Sequence, residues 1–526
     1  MSSSPNQNLG YPDQTFETEI LPCHPSTSIS FPSSSSSSTP TPIVSPSSTL
    51  ASLQIASDHL RQGGLVAFPT ETVYGLGASA LDPQAVRKIY AAKRRPADNP
   101  LIVHVSDRSM LLSLLPPSYS IPPSYEALMQ TFWPGALTLL FPVARRTDER
   151  QEAPVVPEVV TCGQPTVAVR QPSHPLARAL ISLTGLPLAA PSANASGRPS
   201  PTSARHVMRD LGGELDVDAT RETTTTNKVG GGKGKGRLKY ILDGGPCQVG
   251  LESTVVDGFT QPSEIRVLRP GGVTVEQIVQ ALGSKGLLKK EEGEGMEGAV
   301  TVRVYGKDMK RSQEQEENPT TPGMKYKHYS PSARVAILVP SDLIQADPSI
   351  PGGEEVRMPE GIPKDGKHQQ RSRNSFENLS SVILSQIQKS NLTIGSERLK
   401  VGLMRLDGSS IENLVLSERQ PRPASSSSPR KQEENIKSTS LMEEEVEIHP
   451  FSLGTKHQPE LYARRLFDGL RTLDEGPLLH PDGSDSEIDA QGCDLILVEA
   501  MDDSGVGLAV MNRLKKAASD TVILTV

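Results

Sequence analysis

Apolar positions along this chain fall into two blocks of strand and helix patterns, interrupted by long polar stretches. In the first block, Leu50, Leu53, Ala56 and Leu60 recur at helical spacing, and Gly63-Gly64 stops that helix. Residues 65–68 then form a short apolar run of the kind a buried strand shows. Asp82-Pro83 supplies an N-cap and a first-turn proline, and Val86, Ile89 and Tyr90 give the next helix its apolar face. Further strands are expected at 101–105, 137–141, 166–169, 186–190, 240–242, 254–256 and 265–268, with helices between several of them. This predicts a mixed α/β domain over 49–283.

The second block covers 332–526. Strands are expected at 335–339, 400–404, 495–498 and 522–524, and helices at 376–388, 461–473 and 508–518. Strands that alternate with helices imply a mostly parallel sheet. The polar stretches lie around and within these blocks. Residues 1–48 are a Ser/Pro/Thr tract expected to be disordered, because such composition buries too little surface to offset its ordering entropy. Residues 217–238 read as an insertion, 284–331 as a linker, and 341–372 and 406–444 as disordered insertions.

Composition agrees with this division. Only 35% of the 526 residues are apolar and 4% aromatic, too few for a chain that packs along its whole length. A net charge of −7 argues against binding nucleic acid by bulk electrostatics. Cys23, Cys162, Cys247 and Cys493 lie far apart with no CxxC pair, which fits free thiols rather than a zinc site or a disulfide framework. No apolar run reaches the roughly 18 residues that span a bilayer. No Lys or Arg precedes Arg61, unlike an Arg-rich transit peptide, so a soluble cytoplasmic protein is the expectation.

Four clusters could carry chemistry. The densest starts with Phe68-Pro-Thr-Glu-Thr-Val-Tyr-Gly-Leu-Gly77, where proline and glycines predict an irregular turn exposing Thr70, Thr72 and Tyr74 to a small polar ligand. It continues in Lys93-Arg-Arg-Pro-Ala-Asp-Asn-Pro-Leu-Ile-Val-His104. Three cations at a helix end are favoured by its dipole, and they also suit a polyphosphate clamp. His104 lies in an apolar strand, where a satisfied core histidine is the bland reading. The second cluster joins Thr166-Val-Ala-Val-Arg170 to Ala189-Ala-Pro-Ser-Ala-Asn-Ala-Ser-Gly197 and Arg198-Pro-Ser-Pro-Thr202. The third is Gly250-Leu-Glu-Ser-Thr254 with Arg269-Pro-Gly-Gly272, and the fourth Pro322-Gly-Met-Lys-Tyr-Lys-His-Tyr-Ser-Pro331. The stretch around Lys233 and Lys235 lacks P-loop spacing, and Gly505-Val-Gly507 does not complete a dinucleotide fingerprint.

With these clusters in this order, the chain resembles the YrdC-type threonylcarbamoyl-AMP synthases in their longer two-domain form. The resemblance implies a twisted mixed sheet with a concave ligand site, followed by a smaller Rossmann-like, mostly parallel α/β domain. The family's lysine-x-arginine and serine-x-asparagine pairs are matched by Lys93/Arg95 and Ser192/Asn194, its linker signature by residues 322–329, and its C-terminal segment by Gly507 to Arg513. By position, L-threonine would be surrounded by Thr72, His104, Arg170, Ala190 and Ser253. ATP or the adenylate would meet Arg95, Asn99, Thr166, Ser192, Ser200, Arg269 and Tyr326. Lys93 and Asn194 complete the catalytic tetrad with Arg95 and Ser192. The implied reaction joins L-threonine, bicarbonate and ATP, with magnesium on the phosphates, and hands its product to a separate transferase complex acting on tRNA. The implied linker folds over the site.

Two alternatives stand beside this reading. One is a double-stranded RNA or tRNA-binding module without nucleotidyl transfer, against which the acidic charge argues. The other is a carbamoyl-transfer enzyme of hydrogenase maturation, which would need zinc-finger CxxC pairs that are lacking here.

Overall fold

Helix Ser47–Arg61 buries Leu53, Ala56 and Leu60 against the sheet it precedes, as their spacing predicts. It belongs to a computed structural model that describes residues 15–24, 27–32, 41–148, 151–213, 235–289, 299–305, 309, 328–343, 375–376, 378–390, 398–418, 446–476 and 492–525. The chain divides into two units, Met1–Tyr326 and Lys327–Val526.

The first unit opens with β1 (Glu19–Pro22), β2 (Ser28–Ser30) and β3 (Ile43–Ser45). Then come β4 (Val66–Phe68), β5 (Gly75–Ser79), β6 (Ile102–His104) and β7 (Leu137–Pro142). After the hairpin β8 (Arg145–Asp148) and β9 (Gln151–Pro154) follow β10 (Thr166–Arg170) and β11 (Leu188–Ala189). The last are β12 (Tyr240–Asp243), β13 (Thr254–Asp257), β14 (Glu264–Arg269) and β15 (Thr301–Val304). Eleven of them form one mixed sheet in the order β1-β12-β4-β5-β11-β6-β10-β7-β13-β14-β15.

Three expectations need correction. The tail is not wholly disordered: β1 pairs in parallel with β12 and buries Leu21, and β2 pairs with β3. A Ser-rich composition hid β1 because an edge strand needs few apolar side chains when its backbone hydrogen bonds are satisfied. The stretch 284–331 contains β15, which extends the sheet beside β14. Within 406–444, residues 410–418 form helix Ser410–Glu418, whose Ile411 is buried. Residues 419–444, most of 217–238 and most of 341–372 lie outside the described residues.

The second unit is a six-stranded sheet in which every pairing is parallel, in the order β17-β21-β16-β20-β18-β19. Its strands are β16 (Arg334–Pro340), β17 (Ser375–Phe376), β18 (Leu399–Asp407), β19 (Val446–Thr455), β20 (Leu495–Glu499) and β21 (Asp520–Leu524). Phe376, expected to open a helix, lies in β17, and the helix runs Leu379–Ser390. Helices Pro459–Glu475 and Val506–Ala517 follow the expected pattern.

Candidate active site

The loop between β4 and β5 folds back on itself through Thr70. Its hydroxyl donates to the Val73 carbonyl at 2.6 Å and lies 2.8 Å from the Thr72 hydroxyl. This corrects the expected exposure of Thr70, Thr72 and Tyr74, all of which are buried. Gly77 in β5 is required here, because a Cβ would stand 2.6 Å from the Phe68 ring.

Arg170 ends β10 and reaches this loop. Its Nη1 donates to Thr72 Oγ1 at 2.8 Å, its Nε to the Gly135 carbonyl at 3.1 Å, and its Nη2 to the Glu71 carboxylate. Burial alone would raise the Glu71 carboxyl, but the Arg170 guanidinium and the hydrogen bonds outweigh it and hold the group below the usual carboxylate range. His104 ends β6 directly opposite Arg170 in the strand register. Its ring meets Phe68 edge-on with centroids 6.4 Å apart, and among the described residues its Nδ1 has no partner. Burial, reinforced by Arg170, pushes the imidazole down to about 3, so it is neutral at any ordinary pH. The ring meets backbone at Ile102 and Leu188 while one nitrogen stays buried without a partner among the described residues, near a guanidinium.

Ser253 joins the same end. Its hydroxyl lies 2.8 Å from that of Thr138, the residue opposite Arg170 across β7 and β10. Arg269, closing β14, donates from Nη2 to the Ser253 carbonyl at 2.8 Å. The 270–272 turn presses onto Glu252–Thr254 so closely that a Cβ at Gly271 would meet the Glu252 carbonyl at 2.3 Å. Ser200 donates to the Glu252 carboxylate at 2.5 Å, tying the 192–202 loop to this wall.

The cations occupy a second corner. Helix Pro83–Lys93 ends on Arg94 in the left-handed region (φ 50°), which turns the chain away after Lys93. The Lys93 ammonium is buried and donates to the Ser192 and Asn194 carbonyls, each at 2.5 Å, with the Asn194 Oδ1 at 3.4 Å. Ser192 Oγ donates to that same Oδ1 at 2.5 Å. Asp210 anchors the loop further on, accepting from the Ala195 amide at 3.0 Å and pairing with Arg198 at 3.2 Å. Arg95 donates to the Asn99 carbonyl at 3.1 Å, and the Asn99 Oδ1 is buried without a described partner.

These corners share one face of the sheet. Residues alternate in orientation along a strand, so Thr166, Ala168 and Arg170 lie on one side, with Ile102 and His104 beside them in register. Ile102, Ala168, Leu140, Val255 and Leu268 form an apolar floor on which Tyr305 packs. His104 and Arg170 stand at one end of the β6–β10 pair. At the other, Thr166 opens β10 two residues before the Ala168–Ile102 pair, and Asn99 lies three residues before β6 begins. Thr166 is thus not brought into contact with Arg170: four residues, about 13 Å of extended chain, separate them. Ala190 lies between, its amide bonded to the Ile102 carbonyl at 3.0 Å. Tyr326 lies outside the described residues. The sequence reading missed Glu71, Thr138, Glu252 and Asp210. Glu71 and Glu252 stood inside quoted motifs, but nothing in the sequence said which cation or hydroxyl each would meet.

Comparison with known proteins supplies the context. A family profile described as "Telomere recombination" matches residues 58–229, and one described as "Threonylcarbamoyl-AMP synthase, C-terminal domain" matches 273–519. The chain is 36% identical over 493 residues to the threonylcarbamoyl-AMP synthase of Schizosaccharomyces pombe, covering 90% of each chain. It is 35% identical over 475 residues to that of Bacillus subtilis, covering 89% of this chain and 93% of the relative. The crystal structure of Pyrococcus abyssi Sua5 complexed with L-threonine is similar with a TM-score of 0.55 at 32% identity, covering 90% of this chain and 96% of that one.

Proposed function

This chain belongs to the threonylcarbamoyl-AMP synthase family, and we propose how its site performs that reaction. The enzyme joins L-threonine, bicarbonate or CO2, and ATP to give L-threonylcarbamoyl-AMP and pyrophosphate, for threonylcarbamoylation of tRNA adenosine beside the anticodon. The threonine amine, having lost a proton, attacks carbon dioxide to form a carbamate. A carbamate oxygen then bonds to the α-phosphorus as the bond to pyrophosphate breaks. An adenylyl group is transferred, which makes the enzyme a nucleotidyltransferase.

No protein nucleophile is needed, so the side chains position reactants, neutralise charge and exclude water. In this reading Arg170 and Thr72 receive the threonine carboxylate, with His104, Ala190 and Ser253 completing its surroundings. Arg95, Asn99, Thr166, Ser192, Ser200, Arg269 and Tyr326 meet the nucleotide, and Lys93 and Asn194 shape the Ser192 loop beside it. Magnesium would arrive on the ATP phosphates. Lys93, Arg95, Asn99, Ser192 and Asn194 offer no carboxylate to ligate it, and no three metal-binding side chains cluster among the described residues. The product passes to a separate transferase complex, and any contact with tRNA is weak. No described helix is long and apolar enough to cross a membrane; we place the enzyme in the cytoplasm.

The observation that carries the reading is the pairing of Arg170 with Thr72 beside His104, whose Nδ1 has no partner among the described residues, at one end of β6 and β10, with Arg95 and Asn99 at the other. About 10–13 Å of strand separates the ends, room for an amino-acid carbamate laid against an α-phosphate. The test is pyrophosphate release from ATP with threonine and bicarbonate each supplied or omitted. Release that needs neither would overturn the reading and leave a nucleic-acid-binding role to be examined.

A further inference from the structure

Glu71 is held from two sides. Its Oε1 accepts from Arg170 Nη2, while its Oε2 accepts from the backbone amides of Ser173 at 3.1 Å and His174 at 3.4 Å. Those amides open helix Pro175–Thr184, whose N-terminal dipole carries about half a positive charge. One carboxylate thus links the β4–β5 loop, the end of β10 and a helix start. The arrangement is deeply buried, with Glu71 6% and Arg170 4% exposed. A buried ion pair rarely stabilises a fold more than apolar side chains of the same volume would, so its presence calls for another cause.

We infer that Glu71 is a positioning residue for amino-acid recognition, fixing the Arg170 guanidinium in the one orientation that meets a substrate carboxylate. The inference rests on the reading of Arg170 as a threonine ligand. Three of the five guanidinium N–H groups go to Gly135, Thr72 and Glu71, which pins its plane and leaves two for a ligand. Two effects of Glu71 oppose each other. Its charge weakens the pull of Arg170 on an anion, while its two anchored oxygens keep the fork aimed. Orientation prevails, because a forked contact to a carboxylate depends on direction and a displacement of about 1 Å can cost 100-fold. Glutamine cannot replace it: the amide NH2 would face either Arg170 or the Ser173 and His174 amides, donor against donor.

The experiment compares binding of L-threonine and of L-threoninol, which lacks the carboxylate, to the full chain by calorimetry. Glu71→Gln is expected to weaken threonine by about 10- to 100-fold. Threoninol should change by less than about threefold, under 1 kcal/mol, and the KM for ATP should stay near its original value. Glu71→Asp keeps the charge but shortens the reach, should show the same selectivity in smaller measure, and carries the comparison if Glu71→Gln does not fold. Equal losses for both ligands, or tighter threonine binding, would overturn the inference. Arg170→Lys separates it from its premise. If that variant shows no carboxylate-selective loss, the reading of Arg170 fails; if it does and the Glu71 variants do not, only the role of Glu71 falls.

Discussion

Lys93 and Asn194 meet twice, the ammonium lying 2.5 Å from the Asn194 backbone carbonyl and 3.4 Å from its side-chain oxygen. With the Ser192 carbonyl also at 2.5 Å, this lysine faces protein oxygens on a loop. From its place in a basic run it was expected to act on phosphate directly. In this geometry it clamps the loop that carries Ser192; in the proposed reading the phosphate contact falls to the arginine two residues on.

Lys93→Met therefore should behave unlike Arg95→Ala. Methionine keeps the apolar stem but leaves two buried carbonyls unpaired, at about 1–3 kcal/mol each. Both thermal stability and turnover should fall. Half-buried Arg95 should cost about 2–4 kcal/mol of transition-state stabilisation with little change in melting temperature. Turnover and melting temperature measured side by side decide it. A Lys93→Met enzyme as stable as wild type but inactive would put Lys93 back on the phosphates.

Removing residues 1–48 should destabilise the first unit. The truncation deletes β1, whose four residues pair in register with Tyr240 to Asp243, and exposes the edge of β12. It also removes Leu21, 3% exposed. Full burial of a leucine contributes roughly 1.5–3 kcal/mol, so a melting temperature several degrees lower is expected. An unchanged melting temperature would show β1 to be an ornament on the sheet.

Much of this architecture was legible because periodicity reports burial. Every strand expected between 65 and 268 has a counterpart within a few residues, and so do the three helices of the second unit. What escaped notice has its own physical cause. β1 is a four-residue edge strand and β5 is built on Gly75 and Gly77, so neither shows a clear apolar alternation, while the short alternation of β15, Thr301-Val-Arg-Val304, follows a stretch rich in Glu, Lys and Gly. In the site, the motifs identified which residue types were present but not whom they would face. The basic run did not reveal that Lys93 faces the Ser192 and Asn194 carbonyls, and nothing near Glu71 in sequence points to its partner Arg170, 99 positions on.

In the second unit Glu499 ends β20 with its carboxylate accepting from the Leu406 amide at 2.8 Å and the Ser409 hydroxyl at 2.9 Å. Burial raises this carboxyl to about 7 against those hydrogen bonds. The folded chain therefore keeps a proton that the unfolded chain releases between its ordinary value, near 4.5, and 7. Stability falls as pH rises through that window. Glu499→Gln is neutral throughout and should be more stable than wild type at pH 8, by on the order of 1–3 kcal/mol, but not at pH 4.5. Calorimetric scans at the two pH values test this. A variant equally destabilised at both would mean that glutamine cannot replace the hydrogen bonds.

His104 gives the opposite sign. Burial and Arg170 push it down to about 3, far below its ordinary value of 6.5. Between those values the unfolded chain takes up a proton that the folded one refuses, so His104 makes the fold less stable as pH falls from 6.5 towards 3. Throughout the working range its ring is neutral, able to hydrogen-bond threonine but not to carry a proton in the reaction. His104→Gln should therefore weaken threonine by only about 2- to 10-fold, the worth of one neutral hydrogen bond. It should leave the shape of the pH–rate profile unaltered between 5 and 8 and flatten the acid limb of the stability curve. Nitrogen chemical shifts of labelled histidine, followed from pH 8 to 4, report the ring directly. A His104 ring that titrates near 6.5 would remove the argument, and a pH–rate limb that vanishes in His104→Gln would make the residue a proton carrier after all.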